Sequence, residues 1–146
     1  AKNERGVAAI AISPDGSHVM TADNHNDHNV TIWKMSSGDI VMRDKGGPDQ
    51  IMDLAFTKQE GKIEGYAVGV KHISFWDVNK GKKKKGLFGK EDRTSFCAVD
   101  TDEQGRGFCG AANSGLYMFI ETHANKLITT TKEVSLEPLF ASEEVF

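Results

Sequence analysis

Thr31-Ile32-Trp33, Ser74-Phe75-Trp76 and Tyr117-Met118-Phe119 are three aromatic triplets set 43 residues apart along the chain. A second landmark, Ala11-Ile12-Ser13, Ala55-Phe56-Thr57 and Ala98-Val99-Asp100, recurs with steps of 44 and 43. Two independent markers therefore agree on one period. Between them the order is constant: an apolar stretch, a polar turn, a small-residue stretch (19–22, 66–70, 107–112), then the aromatic triplet. Val30, Ile32 and Trp33, or Ile73, Phe75 and Trp76, place β-branched and aromatic residues in near-alternation, the pattern of a pleated strand, and helical periodicity is weak throughout. Turn chemistry falls between these stretches. In Ser13-Pro14-Asp15-Gly16, Pro fixes φ and Gly takes positive φ at little cost, and Ser36-Ser37-Gly38 and Asn113-Ser114-Gly115 act alike. A unit of about 40 to 45 residues with four short strands is the size of one propeller blade. The expected fold is all-β and repeating.

Length and composition set the limits. Of 146 residues 38% are apolar, which suits a chain with a packed core, and no apolar run approaches the roughly 18 residues of a membrane-spanning helix. The opening residues carry charge of both signs and lead into no signal-type apolar core, so secretion has no support and a cytoplasmic setting is expected. The absence of an initiator Met suggests that the natural N-terminus lies elsewhere. Eighteen basic and 21 acidic residues give a net charge of −3, so any polyanion binding would need a local patch. Cys97 and Cys109 are too few for a disulfide scaffold or a four-cysteine zinc site, and both are expected to sit in blade three as buried small residues. Propellers close with about 4 to 8 blades, whereas this length holds about three. We therefore expect blades over 1–43, 44–88 and 89–131, with 132–146 opening a further blade or forming a tail, the whole a piece of a larger propeller. Apolar blade faces near 7–12 and near the C-terminus should then be bare.

Ile32-Trp33, Phe75-Trp76-Asp77 and the Ser13-Pro14-Asp15-Gly16 turn resemble WD-repeat β-propeller blades, with Trp76-Asp77 an intact Trp-Asp pair. Residues 6–13, Asn29-Val30-Thr31-Ile32-Trp33 and especially Val68-Gly69-Val70-Lys71-His72-Ile73-Ser74-Phe75-Trp76 resemble, more narrowly, the echinoderm microtubule-associated protein-like family. In that family a Lys-His pair precedes the aromatic strand where most blades carry Asp. Gly86-Leu87-Phe88-Gly89-Lys90 and Cys97-Ala98-Val99 fit it too, and the likeness spans roughly 6–132. The resemblance implies a cytoskeletal protein without catalytic activity or cofactor, whose paired propellers bind tubulin or microtubules at the cytoskeleton or cilium. A generic WD-repeat scaffold for protein assembly is the alternative. Trp33, Lys71, His72, Trp76, Asp77 and Phe119 are the expected structural blade residues. His18, Thr21 and Trp33, with Asp23 or Asp27, could share the buried hydrogen-bond chain that such blades often carry.

The remaining chemical candidates are weak. Asp100-Thr101-Asp102-Glu103-Gln104-Gly105 begins like a calcium loop, but its twelfth position is Ala111 where a bidentate Glu is needed, and an acidic hairpin turn is the plainer reading. Gly81 to Gly86 has the glycine spacing of a phosphate loop, yet Leu87-Phe88 replaces the required Lys and hydroxyl. Asn24-His25-Asn26-Asp27-His28 reads as a solvated loop ahead of a metal site, and the Asn29-Val30-Thr31 sequon lies on an expected strand. No nucleophile–base or paired-carboxylate set stands out, which argues against an enzyme. One feature has a binding meaning: a basic, flexible loop with Lys80, Lys82, Lys83, Lys84, Lys85 and Lys90, interrupted by Leu87 and Phe88, which would attract acidic tails through a salt-screened field, although a solvated loop that keeps the blades soluble is the plainer reading. Nucleic acid ranks third, since no aromatic stacking platform interleaves those lysines.

Overall fold

The computed structural model describes residues 6–87, 94–112, 115–121 and 127–134. Within them every regular element is a strand: β1 Val7–Ile12, β2 His18–Asp23, β3 Asn29–Lys34, β4 Ile40–Lys45, β5 Ile51–Phe56, β6 Glu64–Gly69, β7 His72–Asp77, β8 Lys82–Leu87, β9 Phe96–Thr101, β10 Gly107–Ala111, β11 Gly115–Glu121 and β12 Leu127–Val134. They form three antiparallel meanders in chain order, β1-β2-β3-β4, β5-β6-β7-β8 and β9-β10-β11-β12. A short parallel contact, Leu127↔Gly86 and Ile128↔Leu87, joins the second and third meanders along β8 and β12. Each meander is a blade, and the aromatic triplets occupy the third strand of each.

The turns follow from their residues. In the first, the Gly16 N–H donates to the Ser13 carbonyl at 2.9 Å with Gly16 at φ 74°. The Asp15 carboxylate there accepts from the Ser13 hydroxyl (2.8 Å) and from the Ser17 backbone N–H and hydroxyl (2.9 and 2.7 Å). Those bonds, the Ser17 hydroxyl foremost, hold its carboxyl down to about 2. Asp102 does equivalent work between β9 and β10. Partial burial pushes its carboxyl up, but hydrogen bonds from Arg106 and Gln104 outweigh this and leave it below the ordinary carboxylate range. The residues that open like a calcium loop are thus a self-satisfied hairpin turn, and among the described residues no three His, Cys, Asp or Glu side chains group as a metal site.

Two cores lie between blades rather than within them. Met20, Ala22, Val30 and Ile32 of blade one meet Ile51, Leu54, Phe56, Ala67 and Trp76 of blade two. Tyr66, Val68, Ile73 and Phe75 of blade two meet Phe96, Val99, Cys109, Tyr117 and Phe119 of blade three. β6 and β7 are therefore buried from their second residue to their last, because each face of the middle blade is covered by a neighbour. β1 shows the opposite. Ala9 and Ala11 pack toward blade two, while Val7, Ile10 and Ile12 are 49%, 62% and 59% exposed. This is the bare apolar face expected near 7–12. Cys109 is buried as expected, and burial pushes its thiol up. Cys97 corrects its expectation: it is exposed on β9, with its thiol 3.4 Å from the Gly110 carbonyl. The two cysteines sit on paired strands, but alternation along β9 turns Cys97 away from the core that holds Phe96 and Val99.

Candidate functional site

His72, Ser74 and Trp76 alternate along β7 and so share the face turned toward blade one. The Trp76 indole N–H donates to Ser74 Oγ at 2.8 Å, and His72 Nε2 lies 3.2 Å from the same oxygen. Trp76 is fully buried and Ser74 nearly so. In blade one the matching bond runs from the Trp33 indole N–H to Thr21 Oγ1 at 3.1 Å. His18 lies elsewhere, with Nδ1 2.7 Å from Ser17 Oγ in the turn. Asp23 is buried, accepts the backbone N–H groups of His25 and Asn29 at 3.0 Å each, and pairs with Arg43 at 3.7 Å, which ties up the β2–β3 loop. Asp27 meets Lys45 at 3.9 Å on the surface. Asp77 is buried and caps the following turn by accepting the Lys80 N–H at 3.0 Å. Phe119 is buried edge-to-face against Phe96, centroids 5.7 Å apart. Lys71 adopts φ 51°, and His28, one period earlier, adopts φ 46°. The same left-handed turn residue thus precedes the aromatic strand in both blades.

The lysine cluster differs from its expectation. Residues 82–85 are not a flexible loop but the body of β8, paired with β7 as Asp77↔Lys82, Trp76↔Lys83, Phe75↔Lys84 and Ser74↔Lys85. A strand sends alternate side chains to opposite faces, so the four ammonium groups do not form one patch. Lys83 and Lys85 share the Trp76 face toward blade one, and Lys82 and Lys84 share the Phe75 face toward blade three. Lys84 is only 9% exposed, its ammonium 5.8 Å from the Phe75 ring centroid. Lys83 bridges blades: Nζ donates to the Lys45 carbonyl at 2.7 Å, lies 3.4 Å from Asp44 Oδ2, and sits 5.6 Å from the Trp76 centroid. Asp44 is held below the ordinary carboxylate range, first by the Lys45 backbone N–H and further by Lys83. Lys82 and Lys85 are exposed, and Lys90 lies outside the described residues.

These residues enclose a half-open cleft of about 340 Å³ at the seam of blades one and two, lined by Lys45, Gly46, Gly47, Pro48, His72, Ser74, Trp76 and Lys83 to Lys85. One wall is the β4–β5 connection. The Gly46 N–H donates to the His28 carbonyl at 2.9 Å, and a Cβ at Gly46 would collide with that carbonyl and with the Ile51 side chain, so the wall requires glycine. Sequence reading missed this wall, although Gly46-Gly47-Pro48 between two strands was its signal. It also missed Asp53, whose carboxylate accepts the Val99 N–H at 2.9 Å across the next seam. A lone carboxylate inside Ile51-Met52-Asp53-Leu54-Ala55-Phe56 is the kind of residue that must find a donor.

No protein-family model matches the chain. Among curated relatives, the ciliary WD repeat-containing protein ctxp80 of Euplotoides octocarinatus is 35% identical over 136 residues, 91% of this chain and 18% of that protein. Echinoderm microtubule-associated protein-like 4 of Xenopus laevis is 29% identical over 136 residues, 88% of this chain and 14% of its own. The mouse protein-like 3 is 27% identical over 104 residues, 64% of this chain and 12% of its own. The chain thus spans less than a fifth of the length of these relatives. Among solved structures, the RRP9 WD40 repeats superpose with a TM-score of 0.65 at 20% identity, covering 84% of this chain and 36% of that one. KlHsv2 carrying a Gly-Ser linker in place of its loop 6CD superposes with a TM-score of 0.68 at 12% identity, covering 90% and 47%. The chain is a segment of a WD-repeat β-propeller, and its curated relatives include echinoderm microtubule-associated protein-like proteins.

Proposed function

We propose that this chain is a non-catalytic propeller segment of a microtubule-associated protein, binding tubulin or microtubules at the cytoskeleton or cilium. The observation that carries the reading is similarity, at 27 to 35% identity, to relatives named for cilia and for microtubule association. The geometry supports a binding role over an enzymatic one. His72 and Ser74 are close enough for a base and a nucleophile, but the Ser74 oxygen is buried and already accepts the Trp76 indole N–H. A hydroxyl held in that way stabilises a blade and is poorly placed to attack a substrate. The exposed cations on the outer strand of blade two give an acidic partner something to meet.

The test is co-sedimentation of the full-length protein with stabilised microtubules over a salt series. Pelleting that fades as salt rises is expected, because exposed charge pairs are screened over about 8 Å at physiological ionic strength. Absence from the pellet at low salt would overturn the reading and leave a WD-repeat scaffold with a different partner.

A further inference from the structure

We infer that the cleft at the seam of blades one and two is a docking site for an acidic polypeptide segment, with Lys85 and Lys45 as its cationic jaws. The inference rests on the proposed binding role, and it names the residues and the ligand chemistry. Lys45 stands on the β4–β5 wall and Lys85 on β8 opposite, and both line the cleft. Lys85 is exposed and has no ion-pair or hydrogen-bond partner among the described residues, and the Lys45 ammonium meets the half-exposed Asp27 at 3.9 Å, a contact worth little in water. Lys83, the third cation of the cleft, is already committed to the Lys45 carbonyl and Asp44, so it shapes the site rather than greeting a ligand. Between the jaws lie Pro48 and the glycine pair, a small apolar floor that suits the short aliphatic stem of a Glu side chain.

Charge complementarity favours a polypeptide carboxylate over a nucleic-acid backbone. Asp27 lies beside Lys45 and Asp44 beside Lys83, and this mixed charge would repel an evenly charged phosphate strand, whereas a flexible chain with spaced carboxylates can place them selectively. Trp76 is fully buried, so the cleft offers no face on which a base could stack.

The strand's alternation supplies the experiment. Lys82 and Lys85 are both exposed, lie on the same strand and contribute equally to net charge, but they point to opposite faces. Binding of a fluorescent oligoglutamate peptide to the full-length protein is measured by anisotropy for the wild type, K85E, K85Q and K82E, with melting curves confirming folding. K85E is expected to weaken binding about tenfold and K85Q about threefold, with K82E within twofold of wild type. Equal weakening by K82E and K85E would show a diffuse charge effect and overturn the site, as would indifference to both or stronger binding of a single-stranded oligonucleotide of equal charge. Should K85E lose the peptide yet still co-sediment with microtubules, the cleft stands and the microtubule assignment of its partner falls. Should the wild type pellet but not bind the peptide, the cleft falls and the microtubule reading stands.

Discussion

Replacing Trp76 should open the seam between blades one and two, and the expected size follows from its surroundings. The side chain is fully buried among Met20, Ile32, Leu54 and Phe56, in a core drawn from both blades. A buried Trp removes up to about 250 Å² from water, worth at most about 6 kcal/mol at ~25 cal/mol per Å². Partial collapse of the cavity and the methyl that remains bring Trp76→Ala to about 3 to 5 kcal/mol. Trp76→Phe keeps most of the apolar area but strips Ser74 Oγ of its 2.8 Å donor. A weakened buried hydrogen bond and a modest void together suggest about 2 kcal/mol. Hydrogen–deuterium exchange of β6 and β7 peptides in the full-length protein reads this locally, which suits a chain too large for a single unfolding midpoint. At about 1.4 kcal/mol per tenfold, the Phe variant should exchange about thirtyfold faster and the Ala variant more than a hundredfold. Ser74→Ala should cost about 1 kcal/mol less in the Trp76→Phe background than in the wild type, since the indole bond is already lost there, while His72 Nε2 loses its 3.2 Å neighbour in both. Exchange in β6 and β7 within threefold of wild type for Trp76→Ala, or a double-mutant cycle with no coupling, would refute the reasoning.

Asp15 should titrate near 2 when followed by NMR, and Ser17→Ala should return it toward its ordinary value of 3.8. Because folding depresses this pKa, the turn's contribution to stability is present above the ordinary value of 3.8 and is lost as pH falls toward 2. Identical midpoints with and without the Ser17 hydroxyl would contradict that origin. In a native thiol-labelling experiment mapped by mass spectrometry, Cys97 should react readily while Cys109 stays protected until blade three opens, since one is exposed and the other buried with its thiol pushed up. Equal labelling of the two would contradict the placement of blade three. Tyr66→Phe should loosen the seam between blades two and three by about 1 to 2 kcal/mol, because the lost hydroxyl donates to the buried Gly105 carbonyl at 2.7 Å. Faster exchange confined to β6, β9 and β10 is the expected signature, and unchanged rates there would count against it.

The repeat was readable because it is written in residues that pack. Trp33, Trp76 and Phe119 recur at one spacing, and their strands pair in three meanders of the same order. The Ser13-Pro14-Asp15-Gly16 turn was readable too, since its backbone geometry depends on residues within the turn. The lysine run misled because composition resembles a solvated loop, while the state of residues 82–85 is set by β7, whose Ser74 to Asp77 offer a ladder to pair with. Strand propensity is weak for Lys, and the neighbouring strand overrides it. The cleft was illegible for a related reason. Lys45 and Lys85 are 40 positions apart, and only the stacking of one blade on the next brings them to one opening.

The two seams of the middle blade are held differently, and this separates binding from folding. Between blades two and three the polar ties reach from the surface, where Lys58 meets Asp100 at 3.5 Å, into the core: Asp53 to the Val99 N–H, the Thr101 hydroxyl to the Phe56 carbonyl at 2.7 Å, and Tyr66 to Gly105. Two of those bonds are buried, where an unpaired group costs about 1 to 3 kcal/mol, so that seam resists opening. Between blades one and two the interior is held by apolar packing around Trp76, and the half-exposed Lys83 supplies a polar tie at the outer edge. An exposed ion pair contributes about 0 to 1 kcal/mol. The outer edge of that seam can therefore open to receive a ligand at small cost while the apolar interior beneath it stays closed. Stability is carried by Trp76 and its neighbours, access by Lys83, and recognition by Lys45 and Lys85. Substitutions at the jaws should accordingly change affinity without moving the exchange rates of β6 and β7, and substitutions at Trp76 should move both.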